Sequence, residues 1–336
     1  MNVPYDLTHA RRLSVAPMMD WTDRHCRYLH RLLSRNGLLY TEMVTAPAVV
    51  HGDRDRLLGF DAVEQPVALQ LGGSEPELLA AAVKAAAPYG YAEINLNVGC
   101  PSDRVQSGAF GACLMREPDL VAQCCAAMIE AADGVPVTVK CRIGVDDQIP
   151  EVVLPDFIDR VAAVGVDVFV IHARMAWLQG LSPKQNRDIP PLDYPLARAM
   201  KTRRPDLSIS VNGGITTLAQ AKAFLADGFD GVMIGRAAYH DAASVLIGAD
   251  AQLFDDDGPQ RSAEEAVRAM LPYIEAHLGN GGRLNQITRH MLGLFQGRPG
   301  ARRWRRILSE EAHKDGADGA VVERALNALA PAEYAA

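Results

Sequence analysis

Eight short apolar, often β-branched segments, each followed by a helical pattern, precede an arginine-rich stretch with no strand pattern. Together they predict an α/β chain: a (β/α)8 TIM barrel followed by a small all-helical C-terminal domain. The strand segments are Leu13 to Pro17, Leu38 to Met43, Pro66 to Leu71, Ala92 to Val98, Pro136 to Ile143, Val166 to Ala173, Leu207 to Asn212 and Gly231 to Gly235. Runs such as Val-Thr-Val-Lys-Cys-Arg and Val-Phe-Val-Ile-His-Ala read as continuous rather than alternating, as parallel strands covered on both faces do. An open doubly wound sheet is the competing architecture, but no GxGxxG follows the first strand.

The intervening segments carry helix signals. Ser74 with Glu77 forms a capping-box pattern before Leu78 to Val83, and that run stops at Pro88 and Gly90. Thr216 or Thr217 caps Leu218 to Ala226, which Gly228 closes. Asp255-Asp256-Asp257-Gly258-Pro259 then reads as an acidic linker, dividing a barrel domain at 1–255 from a helical domain at 260–336. In the latter, helices are expected over Ala263 to Leu278, after Gly282, through Trp304 to Ser309, and from about Asp318 to Leu329.

At 336 residues, 49% of them hydrophobic and 22% charged, the composition is that of a water-soluble globular protein. Charged residues interrupt every long apolar run and the first dozen residues lack a signal core, so no membrane role and a cytoplasmic location are expected. Six cysteines without CxxC spacing suggest neither a disulfide framework nor a zinc site, and no metal-ligand spacing is found elsewhere. A net charge of −7 argues against indiscriminate nucleic-acid binding. Yet no acidic residue lies between Glu275 and Glu310, where Arg283, Arg289, Arg298, Arg302, Arg303, Arg305 and Arg306 fall. Such a face suits phosphates better than internal ion pairs.

In a barrel of this kind the chemistry sits where the strands end. Those positions hold Pro17, Met18 and Met19, then Gln70, then Asn95, Asn97 and Cys100, then Lys140 and Arg142, then His172, then Asn212, Gly213 and Gly214, and finally Gly235 and Arg236. The glycine turns after strands seven and eight, with Arg236 beside them, suit a phosphate. Lys140 within an apolar strand needs an anion or an electron-rich ligand, such as the edge of a reduced flavin. Gln70 offers a donor and an acceptor for a polar heterocycle edge, and His172 suits either that site or a core hydrogen bond. Cys100, in a Gly-Cys-Pro turn that leads through Asp103 and Gly108 to Gly111, is placed on an exposed loop free to close over a substrate. Cys26, Cys113, Cys124, Cys125 and Cys141 read as small buried hydrophobes.

Several motifs together resemble the tRNA-dihydrouridine synthases: Ala-Pro-Met-Met-Asp at 16–20, Thr41-Glu42-Met43, Asn95 to Ser102, Lys140 to Gly144, Val170 to Arg174 and Asn212 to Ile215. Ala173 to Arg187, with Gly297 to Arg302, is similar to the A-type branch of that family. The resemblance implies FMN-dependent reduction of the uracil C5=C6 bond in the tRNA D-loop, at positions 20 and 20a, with NADPH as reductant. It further implies that Pro17, Met18, Met19, Gln70, Lys140, His172, Asn212, Gly213, Gly214, Gly235 and Arg236 hold FMN. Cys100 is then the proton donor to C5 while hydride goes to C6, a role that suits a protonated thiol rather than a thiolate nucleophile. Stacking on a flavin requires the uridine to leave the RNA fold, where Asn97 and Arg142 are placed to read its polar edge or a nearby phosphate. Lys184 and Arg187 on the long sixth loop, beside Trp177, and Arg302, Arg303, Arg305 and Arg306 on the helical tail form two RNA platforms of what is expected to be a monomer.

Two other readings compete. A flavin dehydrogenase of a small molecule, of the dihydroorotate or dihydropyrimidine type, shares the barrel and Lys140 but leaves the arginines unused. A non-catalytic RNA-binding module explains the arginines but not Cys100.

Overall fold

A computed structural model describes residues 5–102 and 110–329. Asp103, Gly108 and the end of the expected helical domain from 330 onward lie outside the described residues. Eight parallel strands form a closed barrel in sequence order: β1 Leu13–Val15, β2 Leu38–Thr45, β3 Val67–Gly72, β4 Glu93–Val98, β5 Val137–Arg142, β6 Val168–His172, β7 Ser208–Asn212 and β8 Gly231–Ile234. β8 closes the ring by pairing Leu13 with Val232 and Val15 with Ile234. Each strand leads to a helical segment that shields its outer face.

The expected continuous apolar pattern holds in β6, where every residue is buried and Phe169 and Ile171 join the strand–helix core while Val170 faces the barrel axis. It fails in β4 and β5. Ile94, Leu96 and Val98 pack in the outer core, whereas Glu93, Asn95 and Asn97 alternate with them and make hydrogen bonds inside the barrel. Val137, Val139 and Cys141 alternate with Thr138, Lys140 and Arg142 in the same way. The barrel interior is therefore polar over this arc, and the two-residue period of the strand turns alternate side chains into it.

Two helix starts differ in kind. The Pro76–Ala86 helix begins one residue later than a Ser74 cap would allow, and its cap position, Glu75, makes no side-chain bond. Pro76 instead supplies a preset φ at the first helical position. The Leu218–Ala226 helix does have a capping box, between Thr217 and Gln220. The expected Ala263 to Leu278 helix is split into Ala263–Ala269 and Leu271–Gly279. Pro272, with no N–H to continue the ladder, marks the break. Leu284–Thr288, Ala301–Glu311 and Gly319–Asn327 complete the tail.

The tail packs on the barrel through the Arg24–Leu33 helix that follows β1. Asp23 caps that helix through the N–H groups of His25 and Cys26 and also accepts from Arg289 and His290 of the tail. Burial works to raise the Asp23 carboxyl pKa, but its bond to His290, the Cys26 N–H and the nearby His25 hold it well below the usual carboxylate range. Tyr28 stacks on Tyr273 with ring centroids 4.1 Å apart. Trp304 is fully buried and donates to the carbonyl of Met291, which makes it a packing residue. The acidic linker is likewise pinned: Asp256 accepts from Arg35 and Asn36, which bring its pKa down to about 2.

Candidate active site

A cavity of about 840 Å³ opens at the C-terminal ends of the strands, within the range of small-molecule sites. Pro17, Met18, Met19, Gln70, Lys140, His172, Asn212, Gly213, Gly214, Gly235 and Arg236 all line it, although they come from six different strand ends. Asn97, Cys100, Arg142, Lys184 and Arg187 line it too. Arg302, Arg303, Arg305 and Arg306 do not. Parallel closure explains the convergence, since every strand delivers its last side chain to one rim.

Beneath Cys100 runs a chain of buried polar groups. Arg11 donates to Glu93, whose other oxygen accepts from Tyr40 at 2.6 Å and from Thr138 at 2.7 Å. Thr138 accepts from Asn95, Asn95 from Gln70, and Gln70 from Asn97, each at 2.8 to 2.9 Å. Asn97 ends the chain, its side-chain oxygen accepting the backbone N–H groups of Gly99 and Cys100 at 3.0 Å. Gln70 and Asn97, both at the cavity wall, also engage protein groups: the first binds Asn95 and Asn97, and the second shapes the Cys100 turn. The Cys100 thiol, half-buried, points to the Ser102 hydroxyl at 3.5 Å. Of the other cysteines, Cys26, Cys124, Cys125 and Cys141 are buried as expected, whereas Cys113 is half-buried.

Cations surround the thiol. Lys140 donates to the side-chain oxygen of Asn212 at 3.1 Å, and Asn212 is held in that orientation by its own bond to the carbonyl of Met233. Burial, aided by the Arg142 charge, lowers the Lys140 pKa to about 8. Arg142 is 2% exposed, and its guanidinium donates to the carbonyls of Gly99, Met175 and Asn186. It therefore ties the Cys100 turn to the loop after β6, with its pKa pushed down to about 9 by burial. Lys140 and Arg142 both lie within electrostatic reach of the Cys100 sulfur.

Two features test whether the rim fits a flavin phosphate and ring. His172 is buried, and its Nε2 has no hydrogen-bond partner among the described residues. Burial and the four neighbouring cations Arg142, Lys140, Arg174 and Arg187 push its pKa far down, so the ring is neutral and can share a hydrogen bond with a heterocycle. At Gly213, φ is +115°, and a Cβ would lie 2.8 Å from His172 Cδ2; at Gly214, with φ of +69°, it would lie 2.7 Å from Leu192 Cδ1. Only glycine keeps this turn, since any side chain would meet His172 or Leu192, and the bare backbone lets a ligand approach closely. The residues present fit a flavin mononucleotide. Arg236 already has a partner, Asp188, whose carboxylate it meets at 2.7 Å.

The loop after β6 reaches over the cavity. Asn186, fully buried, binds both the N–H and the carbonyl of Trp177 and fixes the loop, leaving Trp177 48% exposed and Lys184 exposed. In the tail, Arg302, Arg303 and Arg306 are exposed, with Arg305 half-buried and no ion pair found for any of the four among the described residues. Arg289 and Arg298 do not share that freedom, because carboxylates distant in sequence, Asp23 and Glu264, pair with them. The cavity also recruits Trp21, Met43, Ser102 and His240, to which sequence reasoning assigned no role. Trp21 stacks on Tyr239, with centroids 4.6 Å apart and planes 6° from parallel. The motif at 16–20 pointed to this rim but not to the stack. Among the described residues no helix is long and apolar enough to cross a membrane, and no group of three or more His, Cys, Asp or Glu residues could hold a metal ion.

Residues 14–330 match the family model described as dihydrouridine synthase (Dus). The tRNA-dihydrouridine(20/20a) synthase of Vibrio parahaemolyticus is 57% identical over 321 residues, covering 95% of this chain and 97% of that protein. Proteins of the same name from Xanthomonas axonopodis pv. citri and Shewanella oneidensis are each 58% identical, covering 94% and 95% of this chain and 93% and 94% of their own lengths. Among solved structures, an old yellow enzyme homologue from Zymomonas mobilis superposes with a TM-score of 0.52 at 12% identity, over 74% of this chain and 90% of that one. Morphinone reductase does so with the same score and identity, over 75% and 87%. At that identity the two structures establish a shared fold alone.

Proposed function

The chain belongs to the dihydrouridine synthase family, and from that premise we propose that it reduces uridine to 5,6-dihydrouridine at positions 20 and 20a of tRNA. The observation that carries the reading is the meeting of Cys100, Lys140, His172 and the Gly213-Gly214 cradle around one cavity. With FMN held there by His172, Lys140 and the glycine turns and reduced by NADPH, the cofactor would supply a hydride for C6 of the flipped uracil. Cys100 gives the S–H proton to C5, completing the two-electron reduction, and the resulting thiolate is steadied by Lys140 and Arg142. His172 and the glycine turns hold the cofactor, while Asn97 sets the thiol's approach through the backbone of its turn.

Lys184, Arg187 and Trp177 at the cavity mouth, with Arg302, Arg303, Arg305 and Arg306 on the tail, hold the folded RNA. In this reading residues 1–255 act as the catalytic unit and 260–336 as an RNA-binding unit, in a monomer working in the cytoplasm.

Cys100→Ala tests the assignment. Flavin content, read from visible absorbance, is expected to be retained while dihydrouridine formation collapses. Turnover equal to wild type would remove Cys100 as the acid. Reduction of free uridine as fast as tRNA would instead favour a small-molecule reductase.

A further inference from the structure

The loop after β6 is held across the cavity by arginines from three strand ends. Arg142, ending β5, binds the carbonyl of Asn186 at 3.0 Å. Arg174, just beyond β6, donates to the carbonyls of Asp188 and Pro190. Arg236, just beyond β8, binds the Asp188 carboxylate at 2.7 Å and the Arg187 carbonyl at 3.4 Å. The first two contacts reach backbone only. The third is an ion pair between a side chain at the glycine-lined rim and one on the loop that presents Lys184 and Arg187.

That ion pair uses one end of the Arg236 guanidinium, Nη2. The group has five N–H donors in a rigid plane, so fixing Nη2 fixes where the remaining donors point. The Arg236 bond keeps the Asp188 carboxyl below the usual carboxylate range, so the pair stays charged at working pH. On the loop side, Arg187 immediately precedes Asp188, lines the cavity, and has a buried Nε with no hydrogen-bond partner among the described residues. A donor on the loop is thus left available for an incoming ligand, one residue from the anchor.

We infer that Asp188 is a positioning residue that aims Arg236 at the cofactor's phosphate and, through the same contact, links cofactor occupancy to the affinity of the Lys184–Arg187 loop for tRNA. The inference rests on the functional reading above. A phosphate drawing on Arg236 shifts the guanidinium, and the rigid fork carries Asp188 and the adjoining Arg187 with it. By linkage the effect is reciprocal: tRNA changes the affinity for FMN by the same factor that FMN changes the affinity for tRNA.

The experiment measures tRNA dissociation constants of the full-length chain, stripped of flavin and reloaded with FMN, together with the FMN dissociation constant from flavin fluorescence. In wild type, loading is expected to change tRNA affinity about fivefold or more. In Asp188→Asn the ratio is expected to fall to about one, with FMN binding weakened severalfold, and Asp188→Glu is expected to restore part of both. Arg236→Lys, which keeps the charge but loses the planar fork, is expected to lose the ratio as well. Thermal melting of each variant separates these effects from general loosening, which would not single out the ratio. If wild type takes up no FMN or binds no tRNA, the functional reading falls. If both bind and the wild-type ratio is one, or if Asp188→Asn and Arg236→Lys keep the wild-type ratio, the positioning role is overturned while that reading stands.

Discussion

The side-chain oxygen of Asn97 accepts the backbone N–H of Cys100 at 3.0 Å, so the residue that presents the thiol is held by its main chain. The same oxygen takes the N–H of Gly99, and the amide nitrogen of Asn97 is anchored on Gln70. The turn therefore inherits its position from the buried polar chain that ends on Glu93 and Arg11.

Removing that acceptor is expected to misplace the thiol without emptying the cofactor site. Asn97→Ala should lower the rate of dihydrouridine formation on the order of a hundredfold, the cost of displacing a reacting group by about 1 Å. Single-turnover measurement with prereduced enzyme reads that rate, and absorbance reads flavin content. A loss confined to the apparent KM for tRNA, at unchanged kcat, would show that Asn97 contacts the base rather than setting the turn.

Lys140 carries a stability cost. Its folded pKa of about 8 lies below the ordinary 10.5, so between those values the unfolded chain binds the extra proton. Stability contributed at this site accordingly rises with pH from about 8 to 10.5, and below about 8 the folded chain bears the full penalty of a buried cation. Lys140→Met is expected to raise the melting temperature at neutral pH by about 2 °C and to flatten that alkaline rise. The same variant is expected to retain flavin on the order of tenfold less tightly. A variant both less stable and fully flavinated would show that the cation serves the fold.

The barrel was legible because its signal is long-range and repeated: eight apolar segments with helical patterns between them admit few closed arrangements. The lining of the cavity was legible for the same reason, since strand ends in a closed barrel converge whatever the residues are. Partners were not. Gln70 and Asn97 present the same donors and acceptors to each other as to a ligand, and only their register on β3 and β4 decides. Likewise the absence of acids from 276 to 309 says nothing of Asp23 or Glu264, which the fold brings to Arg289 and Arg298 from far along the chain. Trp177 and Trp304 are the same residue type near similar basic runs, yet one is exposed and the other buried, a difference set by helix packing in the tail.

Those pairings divide the tail's arginines into two kinds that salt dependence can tell apart. Exposed Arg302 and Arg306 are free to release counterions from RNA, whereas Arg298 already neutralises Glu264 at 2.6 Å. Each phosphate contact contributes roughly 0.7–0.9 to the slope of log affinity against log salt. Arg302→Glu with Arg306→Glu is therefore expected to weaken tRNA binding and lower that slope by about 1.5 or more, with flavin content intact. Arg298→Ala should change thermal stability but leave the slope within about 0.5, because its charge is spent inside the protein. Trp177→Ala gives the complementary signature. Stacking releases no counterions, so affinity should fall about five- to a hundredfold at every salt concentration with an unchanged slope. A slope that falls with Trp177→Ala, or persists in the double reversal, would assign the electrostatic contact to the loop after β6 rather than to the tail.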